Sequence, residues 1–120
     1  MILLCGPCQI ESVDHTLMMA DRVAEVARRL DSPIIFKASF DKANRTSGNS
    51  PRGAGLSVAL EAFRKVKDLF ALQILTDIHE GYQASAVADV VDVIQIPALL
   101  CRQTDLIEDA ANTGRIVNIK

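Results

Sequence analysis

Short, unbroken apolar runs alternate with longer amphipathic ones down the whole chain, and that order leaves few folds open. Ile2-Leu3-Leu4-Cys5, Ile34 to Ala38, Gln73 to Asp77, Asp92 to Ile96 and Ile116 to Ile119 each have a strand's length and little polar interruption. The first run is apolar throughout, which predicts a strand buried on both faces. Helical spacing fills the gaps. Ser12 stands where it can cap a helix whose Met19, Val23, Val26 and Leu30 recur at intervals of four, three and four. Asp31-Ser32-Pro33 stops that helix, because the residue before a proline is pushed out of helical geometry. Leu56, Leu60, Phe63 and Phe70 mark one side of a second helix. An Ala-rich segment from Gly81 to Val90 reads as a third, and Thr104 to Thr113 as a fourth with Gly114 at its C-terminal cap. Such alternation predicts an α/β fold of parallel strands with helices packed outside. An open doubly wound sheet and part of a (β/α)8 barrel both satisfy it, and a complete barrel takes about 250 residues.

Residues 1–120 form a single domain-sized unit with one compositional regime and no internal repeat. A hydrophobic share of 49% supports a real core. Net charge is −2 with a pI near 5.6, which argues against a nucleic-acid or membrane-surface protein. No apolar run approaches the roughly 20 residues needed to span a bilayer. Met1 to Leu4 is too short for the apolar core of a secretory signal. Three cysteines without a framework spacing point to a reduced, cytoplasmic setting.

Against that acidic background, one stretch is locally basic. Phe36-Lys37-Ala38-Ser39-Phe40-Asp41-Lys42-Ala43-Asn44-Arg45-Thr46-Ser47 begins at the end of an apolar strand and then supplies cations, an amide and hydroxyls. That is an inventory for binding a small anion, placed where α/β proteins build their sites. Other strands deliver polar groups at the same end. The first is followed by Cys8, the third ends in Asp77 and leads to His79, the fourth carries Gln95 and Pro97, and the fifth leads to Lys120. Parallel strands present all these ends on one rim, so groups distant in sequence should converge.

Cys5-Gly6-Pro7-Cys8 admits a different reading, a thiol–disulfide redox motif between strand and helix. Too many strand–helix units separate it from Ile96-Pro97-Ala98 for the redox fold, and that fold needs antiparallel strands. Redox chemistry also has no use for Lys37, Lys42, Asn44 and Arg45 together. Cys8 suits a metal ligand better, with Cys5 a buried packing residue. One soft thiolate beside imidazole and carboxylates fits a divalent metal such as Fe, Zn, Mn or Co. His79 alone does not make a second ligand, and His15 reads as a capping or surface residue.

Several motifs resemble those of 3-deoxy-D-manno-octulosonate 8-phosphate synthase of the metal-dependent type. They are Gly6-Pro7-Cys8-Gln9-Ile10-Glu11-Ser12, the Phe36 to Ser47 stretch, Thr76-Asp77-Ile78-His79-Glu80, the run from Gln95 to Asp105, and Val117-Asn118-Ile119-Lys120. They occur in family order over the whole chain. The resemblance implies the first half of a (β/α)8 TIM barrel, about five parallel strands with four helices. It also implies an aldol-type condensation of phosphoenolpyruvate with arabinose 5-phosphate and water, in lipopolysaccharide sugar biosynthesis. By motif, Lys37, Lys42 and Lys120 would bind phosphoenolpyruvate. Asn44, Arg45 and Thr46 would hold the pentose phosphate, with Asp77, Gln95 and Pro97 along its chain. Lys42, Asn44 and Asp77 would serve the chemical step. Arg102 would reach a phosphate in a neighbouring subunit of a homotetramer, and Cys8 would ligate a divalent metal.

The departures from the family pattern are local. Gly48-Asn49-Ser50-Pro51 and Ala54 replace the usual residues around Arg52-Gly53, and Leu99 stands where an aromatic is usual. The remaining metal ligands of the family would lie beyond Lys120, so the chain as given is expected to be incomplete for catalysis. The alternatives are a non-catalytic half-barrel that associates with itself, and a heptulosonate phosphate synthase acting on a four-carbon sugar phosphate.

Overall fold

Each apolar run becomes a strand and each amphipathic run a helix in the computed structural model, which describes residues 1–42 and 53–120. The strands are β1 (Leu3–Cys5), β2 (Ile34–Lys37), β3 (Gln73–Asp77), β4 (Val93–Ile96) and β5 (Ile116–Ile119). The helices are α1 (Val13–Leu30), α2 (Leu56–Phe70), α3 (Gly81–Ala88) and α4 (Thr104–Asn112), with a single 3-10 turn at Ala98–Leu100. Strands neighbour one another in chain order, and all four pairings are parallel. Five parallel strands alternating with four helices form the first half of a TIM barrel. The antiparallel strands that a redox fold requires do not occur among the described residues.

Side-chain alternation divides the sheet into two faces. Ile34, Phe36, Ile74, Ile94 and Ile96 point to the helices and join Ala59, Phe63 and Val66 of α2 in the main core. Ile35, Leu75 and Val93 form a separate small cluster on the opposite, inner face. One step further along the same face stand Lys37, Asp77, Gln95 and Asn118. The inner face is thus apolar low in the sheet and polar at the C-terminal strand ends.

Local signals set the element ends. Ser12 Oγ accepts the His15 backbone N–H at 3.1 Å, the expected cap of α1. Asp31 ends α1 in left-handed conformation, and Gly114 does so after α4 with φ of 72°. Gly6 has a different role. A Cβ there would overlap the Lys37 carbonyl, so the bare glycine lets the chain leaving β1 close on the end of β2. At the opposite end of the sheet, Lys67 of α2 donates to both Asp92 oxygens at 2.9 and 3.0 Å and to the Val90 carbonyl at 3.1 Å. Asp92 also accepts the Ile74 N–H at 2.8 Å, tying α2, β3 and the start of β4 together.

Three expectations need correction. β1 is not buried on both faces: Leu4 is 49% exposed and Cys5 is exposed, because β1 lies at the end of the strand order. Cys5 is therefore not a packing residue. In α1 the buried positions are Thr16, Ala20 and Val23, whereas Val26 and Leu30 are 43% and 54% exposed. The packed face therefore mixes the small Thr16 and Ala20 with Val23, flanked by the partly buried Leu17 and Met19, and turns away before Val26 and Leu30.

Candidate functional site

The polar inner layer begins with β2 and β3. Lys37 and Asp77 stand at the ends of adjacent strands, with Nζ 3.6 Å from Oδ2. Ser39, fully buried just past β2, lies between them. It accepts from Lys37 Nζ at 2.6 Å and donates to Asp77 Oδ2 at 2.9 Å. The other Asp77 oxygen accepts from Gln95 Nε2 of β4 at 2.6 Å, and Gln95 Oε1 accepts from Asn118 Nδ2 of β5 at 2.8 Å. One hydrogen-bonded series therefore crosses four strands. Burial makes each member costly to leave unpaired, which holds the side chains in register.

Above this layer lies a cleft of about 220 Å³. Lys37, Lys42 and Lys120 line it with Asp77, Gln95 and Pro97, and Cys8 and Leu99 complete its rim. Lys42 follows β2 and its ammonium donates to Cys8 Sγ, which follows β1. That hydrogen bond holds the Cys8 thiol below its ordinary range, against the slight desolvation that acts the other way. Burial pushes the Lys37 ammonium pKa down, with the Asp77 carboxylate opposing and the nearby Lys42 charge adding to the fall. Three ammonium groups, one from the end of β2, one from the segment after it and one from beyond β5, thus face one small volume.

His79 also lines the cleft and meets Phe40 edge to face, with ring centroids 6.2 Å apart. Its turn is pinned from below: Gln83 Oε1 accepts the N–H groups of His79 at 2.7 Å and Glu80 at 3.2 Å. Leu99, 57% exposed, lines the other side of the cleft.

Of the site residues read from sequence, Cys8, Lys37, Lys42, Asp77, Gln95, Pro97 and Lys120 all line this cleft. Arg102 does not. It is exposed after the 3-10 turn, outside the lining. Asn44, Arg45 and Thr46 lie outside the described residues, as do Gly48 to Arg52 of the altered loop. Sequence reasoning passed over Asn118. Its signal was the period of two in Val117-Asn118-Ile119-Lys120, which puts Asn118 on the same face as Lys120.

For a metal, Cys8 is the soft donor that lines the cleft among the described residues. No group of three His, Cys, Asp or Glu side chains among the described residues could hold an ion. The described donors therefore do not fit a complete metal centre.

The sequence profile of the DAHP synthetase I family matches residues 1–120. The chain belongs to this family. Within the DAHP synthetase I family it is similar to proteins named 2-dehydro-3-deoxyphosphooctonate aldolase. Identity is 56% over 118 residues with that of a Cyanothece species, covering 98% of this chain and 43% of the relative. With that of Rickettsia canadensis it is 54% over 119 residues, 99% of this chain and 43% of the relative. With that of Rickettsia bellii it is 53% over 118 residues, 98% of this chain and 43% of the relative. The chain thus spans about 43% of the length of the curated relatives it matches.

Proposed function

We propose that this chain supplies the donor-binding half of a 3-deoxy-8-phosphooctulonate synthase, which condenses phosphoenolpyruvate with arabinose 5-phosphate and water. The products are the eight-carbon keto-sugar phosphate and inorganic phosphate. The observation that carries this reading is the convergence of Lys37, Lys42 and Lys120 on one cleft beside Asp77 and Gln95. The relatives' names support an eight-carbon product over a seven-carbon one.

Phosphoenolpyruvate carries a phosphate and a carboxylate, and its partner a second phosphate. Fixed ammonium groups offset the repulsion of bringing such anions together and do so without reorganising during reaction. Holding two reactants in one geometry can remove about 7–11 kcal/mol of barrier. Lys42 and Lys120 face the donor's anionic groups. Asp77 and Gln95 offer an acceptor and an amide to the hydroxyls of the sugar chain. The enol carbon then attacks the aldehyde, water adds to the neighbouring carbon, and phosphate leaves with cleavage of its carbon–oxygen bond.

In this reading Cys8 would supply one ligand to a divalent ion such as Fe, Zn, Mn or Co, and the other donors described here do not complete its coordination sphere. The remaining expectations, a homotetramer in a reduced cytoplasmic setting, rest on the family resemblance and on the free cysteines Cys5, Cys8 and Cys101. No described helix is long and apolar enough to cross a membrane.

Calorimetric titration of the 120-residue protein with phosphoenolpyruvate tests the proposal. Binding should weaken about tenfold in Lys42→Ala and in Lys120→Ala, the size expected for losing a charge-assisted hydrogen bond. Binding indifferent to both lysines would remove the reading. Titrating the same protein with arabinose 5-phosphate and with erythrose 4-phosphate separates the two readings: tighter binding of the five-carbon ester supports the eight-carbon chemistry, and tighter binding of the four-carbon ester the seven-carbon one.

A second reading, self-association, is favoured by the inner-face residues Leu4 and Ile116, which stand 49% and 67% exposed at opposite ends of the strand order. Sedimentation velocity of the wild type and of Ile116→Glu decides it. A protein monomeric before and after the substitution excludes it.

A further inference from the structure

The hydrogen-bonded series across the strand ends has a fixed polarity. Asp77 accepts at both carboxylate oxygens, from Ser39 Oγ and from Gln95, so Gln95 must turn Nε2 toward it. Gln95 Oε1 then faces β5 and needs a donor, and Asn118 Nδ2 provides one at 2.8 Å. Gln95 is only 6% exposed, so water is a poor substitute for that donor. Asn118 itself stays outside the cleft lining and, among the described residues, meets the site through its hydrogen bond to Gln95.

We propose that Asn118 is a positioning residue: it locks the Gln95 amide in the one orientation that pairs with Asp77 and thereby fixes the pattern of donors and acceptors offered to a polyhydroxylated phosphate ester. The sugar-phosphate part rests on the function proposed above, whereas the locking of the amide does not. Each end of the Gln95 amide is half used. One Nε2 proton goes to Asp77 and one Oε1 lone pair to Asn118, leaving the second proton and the second lone pair for a ligand. Rotating the amide by half a turn would exchange these two and set Oε1 against the Asp77 carboxylate. Asn118 therefore specifies which hydroxyl geometry the cleft reads, while Lys42 and Lys120 specify only that the ligand is anionic.

The test has an arm that needs no ligand. Side-chain amide resonances of Gln95, assigned by their loss in Gln95→Ala, should exchange slowly with solvent and show a cross-relaxation contact with the Asn118 amide protons. In Asn118→Ala their exchange should quicken at least tenfold. The second arm is arabinose 5-phosphate binding, read by calorimetry. Asn118→Ala should weaken it about fivefold, leave phosphoenolpyruvate binding unchanged, and cause no further loss in a Gln95→Ala background. Unchanged amide exchange, or the same loss with and without Gln95, would overturn the proposal. Should Asn118→Ala fail to fold, the wild-type contact between the two amides decides, and its absence is fatal. A wild type that binds neither phosphate ester yet keeps the amide signature removes the synthase reading and leaves the positioning role standing.

Discussion

The ammonium of Lys42 rests on the thiol of Cys8, joining the segment after β2 to the segment after β1. This contact closes one side of the cleft and makes each residue a reporter of the other. Lys42 is the donor, so Cys8 is held toward its thiolate form.

The thiol should therefore alkylate readily in metal-free protein at neutral pH, since the thiolate is the reacting species. Lys42→Met should slow iodoacetamide capture of Cys8 by about threefold or more at pH 7, with the gap closing as pH rises past the ordinary thiol value of 9.0. Mass mapping of the labelled peptide distinguishes Cys8 from the exposed Cys5. Equal rates in the two proteins would mean that the contact does not persist in solution.

Alkaline pH should stabilise the metal-free fold. Cys8 and Lys37 both release their protons at lower pH when folded than their ordinary values of 9.0 and 10.5. Between each folded value and its ordinary one, the unfolded chain binds more protons, so unfolding free energy rises with pH there. Urea midpoints should climb through that window, and the climb should flatten in a Cys8→Ser, Lys37→Met double variant. A midpoint that falls over the same range contradicts both assignments.

Asp92 should be the most sensitive polar residue at the N-terminal end of the sheet. Asp92→Ala strips an acceptor from both Lys67 and the Ile74 N–H. Leaving that partly buried N–H unpaired costs about 1–3 kcal/mol. Asp92→Asn keeps an acceptor for Ile74 and should lose less. Urea denaturation of the two variants gives the comparison, and it should leave phosphoenolpyruvate binding intact because the clamp is remote from the cleft.

Gly6→Ala should act at both levels. Its methyl overlaps the Lys37 carbonyl, which is main chain and cannot swing aside. Overpacking of this kind costs about 1–3 kcal/mol. Because the displaced carbonyl belongs to a cleft lysine, affinity for phosphoenolpyruvate should fall along with the urea midpoint. Loss of stability with unchanged affinity would separate the strand contact from the site.

The parallel sheet was legible because strand runs here are short, apolar and punctuated by Gly6-Pro7, Pro33 and Pro97. Its rim followed from that, since strand direction alone dictates where Cys8, Asp77 and Lys120 meet. The edge was not legible. Leu4 reads like Ile35, yet only Ile35 has a strand on either side, and an apolar letter does not report its neighbours. The packed face of α1 was read only in part, for a related reason: Val23 is buried and Met19 packs on the core, but spacing arguments follow large residues and pass over Thr16 and Ala20. Arg102, drawn from the family motif to reach a neighbouring subunit, is exposed and lies outside this chain's own cleft. Asn118 escaped because its task is to orient a neighbour, and amides that orient amides carry no charge pattern to notice.

The order of the strands has a kinetic consequence. Since every strand lies beside the one translated just before it, a nascent chain emerging from the ribosome meets its partner edge already made. Each pairing among the described strands spans only one intervening helical segment, so every closure is about as short as a parallel sheet permits. Each unit can add to the growing sheet as it is synthesised.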